Sequence, residues 1–143
     1  MRATQVLRIG DELRHPEITV ALRPAALPTY VAVIGLRGEH DLGTAEAIRV
    51  ALAPLFGDVL VDLGDCDFVD STVISALITK ARALELEGFR LELVVPPTHA
   101  NICRVLDVVQ IRDLMTVHEA VPFEAPERQR LEQRLDVRPR LRR

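Results

Sequence analysis

Three consecutive oxygen-bearing side chains, Asp70, Ser71 and Thr72, stand directly before an apolar stripe of Val73, Leu77, Ala81 and Leu84 at helical spacing, widened by Ile74 and Ile78. Short polar residues in that position cap a helix, because their oxygens accept hydrogen bonds from the first backbone N–H groups, which have no partner within the helix. The same N–H groups, at the positive end of the helix dipole, also tolerate a phosphate. A hydroxyl placed there is a candidate phosphoacceptor. Ser71 and Thr72 are the two hydroxyls so placed.

Other chemistries fit the residues poorly. Asp62, Asp65, Asp67 and Asp70 form the densest group of carboxylates. A calcium loop begun at Asp65 would put Val69 at its fifth position and Asp70 at its sixth, where a glycine is needed. An acyl-phosphate receiver needs a lysine at a strand end, and the single lysine, Lys80, falls in mid-helix. Nucleophilic catalysis by Ser71 would need a base within reach, yet His15, His40, His99 and His118 show no readable relation to it, and no GxSxG turn is present. Gly35, Gly38 and Gly43 match neither a dinucleotide fingerprint nor a phosphate loop. Cys66 and Cys103 make no CxxC, and the histidines lack metal-ligand spacing. The expectation is a chain that is not an enzyme, with no catalytic residue, metal or cofactor.

The elements that must position Ser71 are legible from periodicity. Ile18, Val20 and Leu22 alternate, and Val31 to Leu36 is a second apolar run, which together predict a hairpin. Turn-forming residues 39–44 lead into Ala45, Ile48, Leu52 and Leu55, a first amphipathic helix ending near Gly57. Val59 to Leu63 reads as a buried strand, and the second helix runs from Ser71 to a left-handed cap at Gly88. Phe89 to Val95 gives a further strand. Ile102, Val105, Leu106 and Val109 define a third helix, and Leu114 to Val117 a last short strand. Strands alternating with helices predict an α/β domain with a mixed sheet, its first pair antiparallel and the rest mostly parallel. The expected organisation is an extension or irregular lead-in strand at 1–16, one domain at 17–121, and an arginine-rich, partly helical or disordered tail at 122–143.

Composition narrows the partners. The chain has 143 residues and a formal net charge of −3. Residues 121–143 hold seven arginines against four acids, so the rest carries −6. An acidic body with 3% aromatic residues and no tryptophan offers little to nucleic acid. No run of 18 apolar residues and no export signal is present, so the expected location is the cytoplasm with no membrane span.

Two stretches resemble the STAS domain family. Gly38-Glu39-His40-Asp41-Leu42-Gly43-Thr44-Ala45-Glu46 resembles that family's GE-x-D-x-x-TA segment, and Phe68-Val69-Asp70-Ser71-Thr72 resembles its phosphorylation segment. Residues 101–114 are similar to its third-helix region, and the likeness covers roughly 18–121. The resemblance implies a bacterial anti-sigma factor antagonist. Its unmodified form would bind an anti-sigma factor of the serine kinase type and free a sigma factor, phosphorylation of Ser71 would end that binding, and a metal-dependent serine phosphatase would restore it. Glu39, Asp41, Thr44, Asp70, Thr72 and Val73 would then lie beside the site or touch the partner. Val73, Ser75 and Gln110 stand where the family favours glycine, so a partner backbone is expected to meet extra methyl groups at Val73. The competing readings are a non-switching scaffold of a signalling complex and a small-ligand or lipid-transport accessory domain.

Overall fold

A computed structural model describes residues 3–8 and 16–122. Strand β1 (Ala3–Arg8) pairs antiparallel with β2 (Glu17–Leu22), which pairs antiparallel with β3 (Ala32–His40) in the register Ile18↔Leu36. Beyond β3 the pairing turns parallel, through β4 (Val59–Asp62), β6 (Leu91–Val94) and the two-residue β7 (Val117–His118). A short strand β5 (Cys66–Val69) leaves this row and pairs parallel with the end of β3 alone. The α/β class and the mixed sheet are as expected from the alternation of elements.

Several boundaries differ from the sequence reading. The first sixteen residues were expected to be an extension or an irregular lead-in strand, and 3–8 form a regular strand of the sheet. The helix α1 (Leu42–Leu52) starts earlier and stops before Gly57, because Asp41 caps it at one end and Pro54, without an N–H, cannot extend the ladder at the other. The last strand begins at Val117, since residues 111–113 wind into a short 3-10 helix. β5 falls inside the dense group of carboxylates from Asp62 to Asp70, for which periodicity predicted no strand. The tail expected at 122–143 lies, but for Pro122, outside the described residues.

Helices α1, α2 (Ser71–Leu86) and α3 (Ala100–Val108) bury their apolar stripes against one face of the sheet. From α2 these are Val73, Ile74, Ala76, Leu77, Ala81 and Leu84, which meet Ile34, Leu36, Val61 and Leu93 in one core. Each large apolar side chain removed from water there contributes about 1.5–3 kcal/mol. The opposite face carries a smaller cluster, in which Leu27 and Tyr30 from the β2–β3 connection cover Leu60 and Val94. Tyr30 also donates its hydroxyl to Glu92 Oε1 at 2.6 Å.

Candidate phosphoacceptor site

The site is built by one register. His40 at the end of β3 stands opposite Val69 at the end of β5, past a bulge between Gly38 and Glu39 where Gly38 takes φ +84°. A left-handed φ of that size suits glycine. Because the two strands run parallel and end together, the next residues, Asp41 and Asp70, lie abreast. Each is the N-cap of the helix that follows.

Asp70 serves both helices. Its Oδ1 accepts the N–H of Thr72 at 3.0 Å, the N–H of Val73 at 3.2 Å and the hydroxyl of Thr72 at 2.6 Å. Its Oδ2 accepts the N–H of Leu42, the first residue of α1, at 3.1 Å. Partial burial works against the charge of Asp70, but these donors outweigh it and hold the carboxyl below the usual aspartate range. The site therefore carries a fixed negative charge shared by two helix ends.

Beneath it, Asp41 and Thr44 form a capping box: Asp41 Oδ1 accepts from Gly43 N–H at 2.9 Å, and Thr44 Oγ1 accepts from Asp41 N–H at 3.2 Å. His40 is fully buried and lies 3.0 Å from the Arg37 carbonyl through Nε2 and 3.1 Å from Thr44 Oγ1 through Nδ1. A carbonyl only accepts, so Nε2 carries the proton, and Nδ1 shares the Thr44 hydroxyl with the Asp41 carbonyl, which lies 3.2 Å from the same oxygen. Burial pushes the imidazole pKa down, against the hydrogen bonds and the nearby Asp41 charge, which keeps the ring neutral.

Ser71 is the first residue of α2 and is exposed, and its hydroxyl engages none of the described residues. Glu39 in β3, Asp41 just past its end and Asp67 on β5 are also exposed. Thr44 and Val73 were expected to lie beside the site or touch the partner; both adjoin the caps Asp41 and Asp70, with their side chains turned inward. Thr44 is held in the capping box, and Val73 is fully buried in the core, so its methyl groups do not meet an approaching backbone. Ser75, one turn on, is exposed.

Two surface residues escaped the sequence reading. Leu42 is 73% exposed and bonded through its N–H to Asp70, and Phe68 is 41% exposed on β5 opposite Glu39. An apolar residue just after the cap Asp41, and a phenylalanine inside the acidic run DCDFVD, were the available signals. The third helix is fastened to the same end of the sheet by His99, whose Nε2 donates to the Gly64 carbonyl at 2.7 Å. Among the described residues no group of three or more His, Cys, Asp or Glu is placed to hold a metal ion, and no helix is long and apolar enough to cross a membrane. The acids of the 62–70 stretch are spread over separate tasks: Asp62 turns onto the Gly64 N–H at 2.8 Å, Asp65 and Asp67 face solvent, and Asp70 caps.

The STAS domain family model matches residues 25–122. The chain belongs to the STAS domain family. Among solved structures, this STAS chain is similar to an anti-sigma factor antagonist from Mycobacterium paratuberculosis, at 15% identity and TM-score 0.55, over 83% of this chain and 88% of that one. It is similar to the Bacillus cell fate determinant SpoIIAA in its phosphorylated form, at 20% identity and TM-score 0.53, over 81% and 97% of the two chains. The anti-sigma factor antagonist SpoIIAA in its unphosphorylated form is alike at 19% identity and TM-score 0.51, over 92% and 96%. At these identities the likeness describes the STAS fold. No curated protein matches the sequence.

Proposed function

We propose that this STAS domain is an anti-sigma factor antagonist acting in the cytoplasm, switched by phosphorylation of Ser71. The observation that carries the reading is an exposed, uncommitted serine hydroxyl at the first turn of α2, set beside the start of α1, with exposed Leu42 and Phe68 on the adjoining α1 and β5. The proteins it resembles in fold include antagonists of anti-sigma factors, one of them described in both phosphorylated and unphosphorylated forms.

In the unmodified state the apolar Leu42 and Phe68, with Glu39 and Asp41, offer a mixed surface to an anti-sigma factor of the serine kinase type. A phosphoserine adds about −1.5 to −2 charges. The new charge lies among Asp41, Asp67 and Asp70, and a docked partner would have to desolvate it. A hundredfold loss of affinity corresponds to about 2.8 kcal/mol, within reach of such a charge in a partly covered interface. A metal-dependent serine phosphatase would reset the site.

Incubation with such a kinase and ATP, read by intact mass and peptide mapping, tests the reading: the phosphate is expected on Ser71. Ser71→Ala is expected to bind the partner constitutively and Ser71→Asp to bind it at least about tenfold more weakly. Equal binding by the two variants contradicts the switch. The small-ligand alternative has one observation in its favour, a cleft of about 540 Å³ between the end of α2 and the 3-10 helix, lined by Phe89, Leu114 and Met115 with Arg90 and Arg112. It lies away from Ser71, at the amino-terminal edge of the parallel strands, so binding there and switching at Ser71 are separately testable.

A further inference from the structure

We propose that Asp70 selects which hydroxyl of the Ser71–Thr72 pair can accept a phosphoryl group, by holding the Thr72 hydroxyl and leaving that of Ser71 free. The inference rests on the reading of this site as a phosphoacceptor. Thr72 Oγ1 donates to Asp70 Oδ1 at 2.6 Å, and the N–H groups of Thr72 and Val73 converge on the same oxygen. An ordinary cap could turn away and release the hydroxyl. Asp70 is held from the other side as well, because its Oδ2 takes the N–H of Leu42 from the neighbouring helix at 3.1 Å. The carboxylate is thus pinned by two helices, and Thr72, half-buried behind it, is pinned in turn.

The chemistry separates the two hydroxyls. In transfer from a nucleoside triphosphate, the hydroxyl oxygen attacks the γ-phosphorus and forms a new O–P bond. The bond from that phosphorus to its bridging oxygen breaks, the nucleoside diphosphate departs with the electron pair, and the hydroxyl proton passes to a base on the kinase. At Thr72 this requires breaking a short, charge-assisted hydrogen bond, and it leaves a phosphate against the Asp70 carboxylate. At Ser71 no such bond has to break: the hydroxyl is free, and although its phosphate would still lie near Asp70, it would not displace a hydroxyl already held on that carboxylate. Asp70 acts here as a positioning residue, through Thr72.

The test uses the full chain with ATP and a serine kinase-type anti-sigma factor, with phosphopeptides quantified for four forms: wild type, Asp70→Gly, Asp70→Asn, and Asp70→Gly combined with Ser71→Ala. Glycine keeps a favoured cap residue while removing the carboxylate, and asparagine keeps an oxygen for Thr72. The share of phosphate on Thr72 is expected to rise about tenfold or more in Asp70→Gly, the equivalent of one lost hydrogen bond to a charged group, and to rise less in Asp70→Asn, which keeps one acceptor for the Thr72 hydroxyl but loses the charge and the acceptor for Leu42 N–H. The double variant is expected to be modified on Thr72. An unchanged Thr72 share in Asp70→Gly, or an Asp70→Asn that behaves like it, overturns the proposal. A readout independent of the kinase is the Thr72 hydroxyl proton in NMR, expected to exchange slowly in the wild type and fast in Asp70→Gly. If no form takes phosphate, the phosphoacceptor reading of Ser71 falls, while fast exchange of that proton in the wild type is what overturns the lock itself.

Discussion

At the scale of single residues, the site is defined by which polar groups are occupied. His40 is the buried example. Its pKa is lowered in the folded chain, so on acidification the unfolded chain takes up the proton first. The stability it contributes is complete above the ordinary imidazole value of about 6.5 and is lost as pH falls from there through the folded value. In an NMR pH titration the His40 ring is expected to change its shift with a midpoint below 6.5, and the urea midpoint of the chain to decline over the same interval. A ring titrating at or above 6.5 contradicts the buried neutral state. Asp70 has the same sign further down the scale, present above the ordinary aspartate range and lost as acid protonates the folded carboxyl. Much of this was legible in the sequence. The run Asp70-Ser71-Thr72 before an apolar stripe announced a capped helix, and the cap is Asp70. That Asp70 also reaches Leu42 was not legible, because a bond across 28 residues leaves no local signature. Nor was the inward turn of Thr44 and Val73, since a motif gives order along the chain and not the side of the helix that faces the core.

At the scale of elements, long periodic segments were the readable ones. Helix α2 matched its stripe to within a residue or two, and Gly88 takes φ +87° just past its end. Short elements lacked period: β5 has four residues with a buried-exposed-exposed-buried pattern, and β7 has two. The turn after α3 carries a measurable strain. Gln110 sits at φ +55°, a left-handed conformation that glycine adopts more easily than residues bearing a Cβ. Gln110→Gly is expected to raise stability by about 0.5–1 kcal/mol, the relief of strain being partly offset by the greater freedom of glycine in the unfolded chain. The check is the urea midpoint at constant m. A fall in the midpoint would mean that the side chain contributes more than the backbone strain costs.

At the scale of the whole molecule, one face of the sheet bears α1, α2 and α3 and most of the core, and the site lies where β3 and β5 end and α1 and α2 begin. Leu77 is fully buried between α2 and the sheet, so Leu77→Ala is expected to cost about 2–5 kcal/mol. Because that loss is distributed through the core, the phosphorylation of folded Leu77→Ala at Ser71 is expected to remain while its melting temperature drops. Loss of modification in a still-folded variant would show that packing beneath α2 tunes the site directly. The alternation of strands and helices made this architecture readable at the level of class. The participation of residues 3–8 did not follow from their mixed polarity, because an edge strand can be specified by its neighbour's backbone as much as by its own side chains.

The parallel register of β3 with β5 also has a consequence in time. The β1–β2–β3 meander joins neighbours in sequence, whereas the pair that sets Asp41 beside Asp70 closes only after α1 and β4 have been threaded between them. Contacts across such separations form slowly relative to local ones, since the entropy of closing the intervening chain must be met before they give anything back. Ser71 in a nascent or unfolded chain is consequently an ordinary serine in a flexible peptide. A synthetic peptide spanning residues 66–86 is expected to be a poor substrate for any kinase that reads the assembled surface, and modification is expected to follow folding rather than accompany synthesis. The switch would then report on completed chains alone.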